Sequence, residues 1–399
     1  MVTGKFGSIV KTPGAKYAEE HRYFQGCPTV ARSRGGILYA GWYTGGTREP
    51  SPFNCNILLK STDNGSSWSD VILAVDSVPE LKIRAIDIQL WVDPQYRLWV
   101  FWTVRDDNYR DKDPRHLSVW AVICEDPDAE TLTWSDPRYI TPGFLRCQPV
   151  VLSDHRILLF SYDWTNEFYS YSESSDNGVS WVRKTGGRKL HTPFDEAMAV
   201  ERADGSLWML ARCESGFIAQ STSIDGGKHW GNGVNTSIVA PSSRFFIRRL
   251  ASGKLLLIYN RSTRKVRENM TAALSDDDGI SWKWSILLDA RTGVSYPDAS
   301  VSGDGTIYIV HDFERTGAKE ICLSRITEAD IMAGRCVSDG SFAARVISKA
   351  PLEPADAAEF TRLRAMEDAW KEQARLFNQG KTDAISLQYL GKELSDPGI

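Results

Sequence analysis

The sequence predicts an all-β fold, a six-bladed β-propeller with four-stranded antiparallel blades, followed by a C-terminal helical tail. A turn motif, Ser-x-Asp-x-Gly-x-x-Trp, occurs four times, and a pair of apolar segments separated by a polar turn occurs six times. Both patterns end near Pro351, where the sequence becomes helix-like. Intervals of about fifty residues between motifs are typical of propeller blades. We therefore expect a propeller over residues 1–350 and a helical extension over residues 351–399.

The turn motif has a physical logic that predicts where it lies in each blade. The Asp carboxylate hydrogen-bonds to the backbone of its own turn, Gly accepts a positive φ, and Trp packs beneath the hairpin. Each motif should therefore join two antiparallel strands, and it is too short and has too few acidic residues for an EF-hand-like calcium site. The first interval is about twice the later ones, so residues 125–134 are expected to hold a degenerate copy. The four motifs are 61–68, 174–181, 223–230 and 275–282.

The apolar pairs are expected to form the first two strands of the six blades. We expect residues 341–348, together with the N-terminal residues 7–11, to complete the last blade. Residues 356–378 are rich in Ala, Glu, Arg, Leu and Lys and should form a helix, which packs either on the propeller or on a second copy in a homo-oligomer. The strand pairs are 29–33 with 37–43, 89–92 with 97–104, 149–152 with 156–164, 197–201 with 206–212, 246–250 with 254–260, and 299–302 with 306–312.

The composition excludes several classes of protein. Hydrophobic residues make up 42% and charged residues 25%, as in globular proteins. The net charge is -4 and the basic residues are scattered, so we expect no nucleic-acid partner. No apolar run is long enough to span a bilayer, so no membrane partner is expected either. Residues 1–11 lack the pattern of a secretory leader, and the seven cysteines contain no Cys-x-x-Cys pair, which favours buried thiols and a cytoplasmic location. Six scattered histidines and the lack of a Gly-rich phosphate loop predict neither a metal nor another cofactor.

The first strand of each blade lines the central funnel of a propeller, so residues at its start and at the end of the second strand are candidates for a site. Charged side chains that meet in a narrow funnel are costly unless they are paired or bind a ligand. Structural ion pairs between blades are one interpretation, and an anionic ligand held by arginine forks is the one that the pattern favours. The positions are His21, Arg22, Arg84, Asp87, Gln148, Glu196, Arg244, Tyr296 and Asp298 at strand starts, and Glu49, Arg105, Trp164, Arg212, Asn260 and Asp312 at strand ends.

Beyond the turn motifs, three segments between about residues 29 and 331 resemble the sialidase (neuraminidase) superfamily. The segment Glu196-x-x-x-x-Glu-x-x-Asp-Gly-x-Leu-x-x-x-x-Arg212 resembles the one that carries the catalytic Glu and an Arg of the carboxylate-binding triad. Arg267-Glu-Asn-Met-Thr resembles the segment of another triad Arg, and Ser295-Tyr296-Pro-Asp298 resembles the strand of the Tyr nucleophile. The resemblance implies that Tyr296 attacks the anomeric carbon, that Glu196 takes its proton, and that arginines clamp the carboxylate of a glycan's terminal acidic sugar.

The chain departs from the family pattern in two places. Gly26-Cys27-Pro28 stands where the family has Arg-Ile-Pro, so the first triad Arg is missing unless Arg22 replaces it. The acid Asp after the second strand is also absent, and Glu49 is the candidate acid. With a reduced clamp, sialic acid and a related ulosonic or uronic acid fit equally well. The expected catalytic residues are Tyr296, Glu196 and Glu49, and the expected substrate-binding residues are Arg212, Arg267, Arg22, Arg48, Arg244, Asp298, Asp87 and His21.

Two other functions are compatible with these residues. A β-propeller polysaccharide lyase would neutralise a uronate carboxylate with Arg or a metal and abstract the C5 proton with Tyr296, His21 or His311. A propeller that only binds glycans would need no catalytic pair, and the presence of Glu196 together with Tyr296 argues against it.

Overall fold

Six antiparallel sheets form a ring of blades in the computed structural model, which describes residues 1–190 and 192–391. The predicted six-bladed β-propeller with a C-terminal helix is therefore confirmed. Residues 392–399 of the predicted extension lie outside the described residues. The first strands of the blades contact one another around the central axis, which places the starts of these strands close together.

The strands follow one another blade by blade along the chain. Blade 1 contains β1 (Val2–Gly4), β2 (Gly7–Val10), β3 (Phe24–Arg32), β4 (Leu38–Gly45), β5 (Cys55–Ser61) and β6 (Leu73–Asp76). Blade 2 contains β7 (Ile83–Val92), β8 (Leu98–Asp106), β9 (Leu117–Cys124) and β10 (Arg138–Pro142). Blade 3 contains β11 (Phe144–Leu145), β12 (Val150–Val151), β13 (Ile157–Tyr162), β14 (Phe168–Ser174) and β15 (Val182–Arg188).

The second half of the ring is more regular. Blade 4 contains β16 (Met198–Glu201), β17 (Leu207–Ala211), β18 (Phe217–Ser223) and β19 (Val234–Val239). Blade 5 contains β20 (Phe246–Arg249), β21 (Leu255–Asn260), β22 (Met270–Ser275) and β23 (Trp284–Asp289). Blade 6 contains β24 (Val294–Val301), β25 (Ile307–Phe313), β26 (Glu320–Ile326) and β27 (Phe342–Lys349).

The N-terminal strands belong to blade 1, so the prediction that residues 7–11 complete the last blade is wrong. β2 pairs with β6, and Ser8 lies opposite Asp76. This register buries Ile9 completely in the apolar core between blades 1 and 2. The outer edge of blade 6 is formed by β27.

Each turn motif joins two antiparallel strands, as predicted, and these are the third and fourth strands of the blade counted from the central axis. In the first motif the Asp63 carboxylate accepts hydrogen bonds from the N–H and the hydroxyl of Ser67, at 2.9 and 2.6 Å. Gly65 has a φ of 84° and donates its N–H to Ser61 Oγ at 2.9 Å. A Cβ atom on Gly65 would lie 2.3 Å from Leu323 of blade 6. The motif therefore turns the chain and also packs against the preceding blade.

The same contact recurs at other blade interfaces. A Cβ atom on Gly178 of blade 3 would lie 2.9 Å from the Trp99 ring of blade 2. A Cβ atom on Gly279 of blade 5 would lie 2.4 Å from the Trp208 ring of blade 4. Glycine is required at these positions for the close approach of two blades as well as for its backbone conformation.

Blades 2 and 6 lack the turn motif and contact a neighbouring blade through other segments. Residues 125–134 connect β9 and β10, where the degenerate motif was predicted, and Asp128 in this segment accepts the N–H of Gly35 in blade 1 at 2.8 Å. In blade 6, helix α1 (Glu328–Ala333) lies between β26 and β27, and its Ile331 is buried in the apolar cluster of blade 5.

The C-terminal helix α2 (Ala357–Asn378) packs on the propeller of its own chain. Asp356 caps its N-terminus, as is common for Asp at this position. Its Trp370 and Phe377 are buried in a cluster that includes Phe53 of blade 1 and Tyr389. The described helices include none that is long and apolar enough to cross a bilayer.

Candidate active site

Four residues with positive φ lie in or just before the first halves of innermost strands. They are Cys27, Asp87, Glu196 and Tyr296, with φ values of 58°, 52°, 35° and 54°. Register shifts adjoin three of them, in β3, β7 and β24. A β-bulge changes the direction in which a side chain points. Holding a non-glycine residue in the left-handed backbone conformation costs about 1–3 kcal/mol. The strained backbone therefore directs side chains from four blades toward the same mouth of the propeller.

A second layer of side chains, two residues further along several of these strands, closes the central pore. Arg244 donates to Asp298 at 2.9 Å and to Gln89 at 3.0 Å. Asp298 also accepts hydrogen bonds from Thr29 at 2.6 Å and from Gln148 at 3.2 Å. All five residues are buried and bind one another across the ring. Arg244 and Asp298, which were predicted to bind substrate, therefore serve this structural network and do not line the pocket.

A cavity of about 730 Å³ opens at this mouth. Among the described residues that line it, basic side chains outnumber acidic ones by eight to five, which favours an anionic ligand. Trp164 and Phe194 form an aromatic wall on one side. The inner end of the cavity is lined by charged residues and one tyrosine: Glu49, Asp87, Arg146, Glu196, Arg212, Arg267, Tyr296 and Arg315.

The Tyr296 hydroxyl is hydrogen-bonded to both Glu196 and Arg212. It donates to Glu196 Oε1 at 2.9 Å, and Nη1 of Arg212 donates to the same carboxylate oxygen and to the phenol oxygen, each at 2.9 Å. Burial raises the pKa of Tyr296, and the charge of Glu196 raises it further. Burial alone would raise the pKa of Glu196, but Arg212, Arg146 and Arg267 together hold it below its usual value. The pair is thus an ionised carboxylate and a neutral phenol, from which proton transfer produces a nucleophile.

Three further guanidinium groups surround the Tyr296 ring. Those of Arg315, Arg146 and Arg267 lie 4.0, 4.6 and 5.1 Å from the ring centroid, within the range of cation–π interactions. Their charges would stabilise a phenolate or an anionic ligand next to the ring. Arg146 and Arg315 were missed by the sequence predictions.

Arg315 fills the space beside Gly26, where blade 1 lacks an arginine. It follows β25, and its Nε donates to Asp312 at 2.9 Å while Nη1 donates to Glu49 at 2.8 Å. Because Arg315 lies in a loop outside the repeated strand pattern, its only sequence signal is the small residue, Gly26, at the place that it occupies.

Arg146 occupies the place in blade 3 that Asp87 occupies in blade 2. Its Nη1 lies 2.5 Å from Asp87, and other guanidinium nitrogens lie 3.6 Å from Glu49 and 3.9 Å from Glu196. Arg146 precedes Gln148 by two residues, just as Asp87 precedes Gln89. That shared spacing is the signal by which the sequence could have identified it.

Glu49 and Asp87 form a second acidic pair in the pocket. A carboxylate oxygen of each and the sulfur of Cys27 lie within 4.8 Å of one another. Burial raises the pKa of Asp87 to about 7; Arg146 opposes this shift, and Glu49 adds to it. With a pKa in this range, Asp87 can both donate and accept a proton near neutral pH.

Two groups of described residues have the donor types of a metal site, and arginines contact both. Arg146 and Arg315 pair with the carboxylates of Asp87 and Glu49. In the other group, Asp289 accepts hydrogen bonds from Arg291 at 2.7 Å and lies 3.1 Å from Nε2 of the buried His311. His311, considered as a lyase base, does not line the pocket.

Three other predicted site residues lie outside the pocket. His21 and Arg22 belong to short turns on the outer side of blade 1, where Arg22 donates to the Tyr17 carbonyl at 2.9 and 3.1 Å. Arg48 forms ion pairs with Glu367 and Asp368 of α2. Arg22, expected to supply the missing guanidinium, is thus bound to the Tyr17 carbonyl and does not line the pocket.

Comparison with known proteins gives one family match and two distant relatives. The family model described as a BNR repeat-like domain matches residues 36–309. The anhydrosialidase of Macrobdella decora is 26% identical over 175 residues, which cover 39% of this chain and 23% of that protein. The sialidase of Micromonospora viridifaciens is 27% identical over 150 residues, which cover 35% of this chain and 23% of that protein. The chain therefore spans less than a quarter of the length of these two relatives.

A solved structure shares the fold. A Hadza microbial sialidase has a TM-score of 0.62 and 18% sequence identity, with 79% of this chain and 68% of that chain covered. At this identity the likeness concerns the arrangement of blades alone.

Proposed function

Because the chain belongs to the superfamily of sialidases and BNR-repeat proteins, we propose that it is a glycoside hydrolase that removes a terminal acidic sugar from a glycan. The sugar is sialic acid or a related ulosonic or uronic acid. One observation carries the proposal: the Tyr296 hydroxyl lies 2.9 Å from both Glu196 and Arg212 in a cavity rich in arginine.

In the proposed first step the Tyr296 oxygen attacks the anomeric carbon of the terminal sugar. Glu196 accepts the phenol proton as the new C–O bond forms, and the bond from the anomeric carbon to the leaving-group oxygen breaks. In the second step water attacks the same carbon, the Tyr296 oxygen departs, and Glu196 returns the proton to it. Because the anomeric carbon is attacked twice, the two steps together retain its configuration, as in other glycosidases with a Tyr nucleophile.

We assign the general acid to the pair of Glu49 and Asp87. Asp87 supplies the proton to the leaving-group oxygen, since burial raises its pKa to about 7. Glu49 lies next to Asp87, 2.8 Å from Arg315 and 3.6 Å from Arg146. In the second step the ionised pair removes a proton from the attacking water.

The carboxylate clamp consists of Arg212, Arg267 and Arg315. Arg212 is held by Ser242 Oγ at 2.9 Å and Arg267 by the Ser242 carbonyl at 3.1 Å, so both guanidinium groups are fixed beside each other. Nη2 of Arg315 is buried and has no hydrogen-bond partner among the described residues. The carboxylate of the sugar would accept charge-assisted hydrogen bonds from these three guanidinium groups, which are stronger than hydrogen bonds between neutral groups.

The test is a panel of acidic and neutral glycosides with wild-type protein, Tyr296→Phe and the surface control Tyr139→Phe. We expect wild type and Tyr139→Phe to release free acidic sugar, and Tyr296→Phe to be slower by about a thousandfold or more. Ultraviolet absorbance from an unsaturated product would instead identify a lyase. Activity confined to neutral glycosides, or full activity of Tyr296→Phe, would overturn the proposal.

A further inference from the structure

The cavity extends from the Tyr296 cluster to helix α2. Five α2 residues line it, and their spacing of one, three and four positions places them on one face of the helix. The volume of about 730 Å³ is that of a site for a ligand larger than one sugar ring. The α2 residues are Trp370, Lys371, Ala374, Arg375 and Asn378.

Buried contacts with blades 1 and 2 fix α2 at this place. Glu367 is fully buried and accepts the N–H of Thr47 at 2.7 Å. The Trp370 ring lies 4.8 Å from the guanidinium of Arg84 in blade 2. Near the end of the helix, Arg110 donates to the Phe377 carbonyl at 3.0 Å. These contacts hold α2 against the propeller, so the helix forms one side of the cavity.

The outer end of the cavity presents cations that the protein only partly neutralises. Arg105 is 3% exposed and pairs with Asp107 at 3.2 Å and Asp111 at 2.9 Å. Its Nη1 is buried and has no hydrogen-bond partner among the described residues. Lys371 is exposed and forms no ion pair within the described part of the chain. Arg375 lies one turn further along the same face, and its exposed guanidinium pairs with Glu372 of the same helix at 2.6 Å. An unpartnered buried N–H is costly, so this end of the cavity favours an anionic acceptor.

We infer that this outer end, formed by Arg105, Lys371 and Arg375, is a subsite for an anionic group on the leaving sugar. The group is a carboxylate or a sulfate on the residue to which the terminal acidic sugar is attached. The inference rests on the proposed function, because the Tyr296 cluster holds the terminal sugar and leaves the α2 end for its neighbour.

The test compares three substrates that share the terminal acidic sugar. Their leaving sugars are neutral, sulfated, or a second acidic sugar. The ratio of kcat/KM for each anionic substrate to that for the neutral one is measured with wild type, Lys371→Gln/Arg375→Gln and the control Arg362→Gln, an exposed α2 residue outside the cavity. Kd values for the same saccharides are measured with Tyr296→Phe.

We expect the double variant to reduce this ratio about three- to thirtyfold, as for two solvent-exposed charge contacts, while Arg362→Gln keeps the wild-type ratio. A reduction for only one of the anionic substrates identifies the source of the charge. Hydrolysis of acidic substrates with equal ratios in all three proteins would overturn the subsite and leave the proposed function intact. Neither hydrolysis nor binding of any acidic saccharide would overturn both.

Discussion

The side chain of Arg315 occupies the space that a Cβ atom on Gly26 would fill. Such an atom would lie 2.6 Å from both Cγ and Cδ of Arg315. Backbone contact reinforces the arrangement, since the N–H of Gln25 donates to the Arg315 carbonyl at 3.3 Å. Blade 1 lacks an arginine at the start of its first strand, and the loop between β25 and β26 of blade 6 supplies one at this place. The small size of Gly26 leaves the space for its side chain.

Replacing Gly26 by Ala should displace Arg315 and weaken the carboxylate clamp. Losing a hydrogen bond to a charged group costs about 1.5–3 kcal/mol, so we expect kcat/KM for an acidic substrate to fall by about tenfold or more. Gly303→Ala is the matched control, because nothing lies within 4 Å of the added Cβ. Equal kcat/KM for the two variants would show that Arg315 does not contact the substrate.

Gly279→Ala should destabilise the propeller more than Gly305→Ala. The two glycines have similar φ values, 86° and 83°, so both substitutions strain the backbone. Only Gly279 faces an obstacle, the Trp208 ring of the preceding blade at 2.4 Å. Overpacking at the interface adds about 1–3 kcal/mol to the cost. Urea unfolding of the two variants measures the difference, and similar free energies would contradict the proposed contact between blades.

The fold could be predicted because its signals are local. The turn motifs place Asp, Gly and Trp within eight residues, and the hydrogen bonds of Asp63 are formed within its own turn. Tyr296, Glu196, Arg212 and Arg267 could be selected for the same reason, since each lies in a recognisable segment. The structure brings these four into one pocket.

The rest of the site depends on contacts between distant residues. Arg22 and His21 are close along the chain to β3, but the short turns before this strand carry them to the outer side of the blade. Arg244 and Asp298 are charged and near the axis, and only the structure reveals that they bind each other. The position of Arg315 depends on packing against Gly26, more than 280 residues away in the chain.

Activity should depend on the protonation of Asp87. If Asp87 donates the proton to the leaving group, kcat/KM for alkyl glycosides should decrease as the pH rises above about 7, where this carboxyl ionises. Aryl glycosides, whose leaving groups need little protonation, should show a weaker decrease. Asp87→Asn should lose the alkyl activity and retain part of the aryl activity, whereas an equal loss for both substrates would assign Asp87 to binding.

The stability of the protein should depend on pH through the Asp87 carboxyl group. Burial raises the pKa of Asp87 from 3.8 to about 7, so the folded state binds more protons than the unfolded state between these values. The free energy of unfolding therefore decreases as the pH rises through this window, by on the order of a few kcal/mol. Asp87→Asn should remove this contribution, which urea unfolding at pH 5 and pH 7.5 measures. Parallel pH dependences of the variant and wild type would contradict it.

The most direct measurement is the mass of the peptide that contains Tyr296 after reaction with a fluorinated acidic glycosyl fluoride, which slows the second step. We predict one covalent sugar adduct on Tyr296, absent from Tyr296→Phe and strongly reduced in Glu196→Gln. Hydrolysis of acidic glycosides without an adduct, or with an adduct on another residue, would contradict the assignment of Tyr296 as the nucleophile.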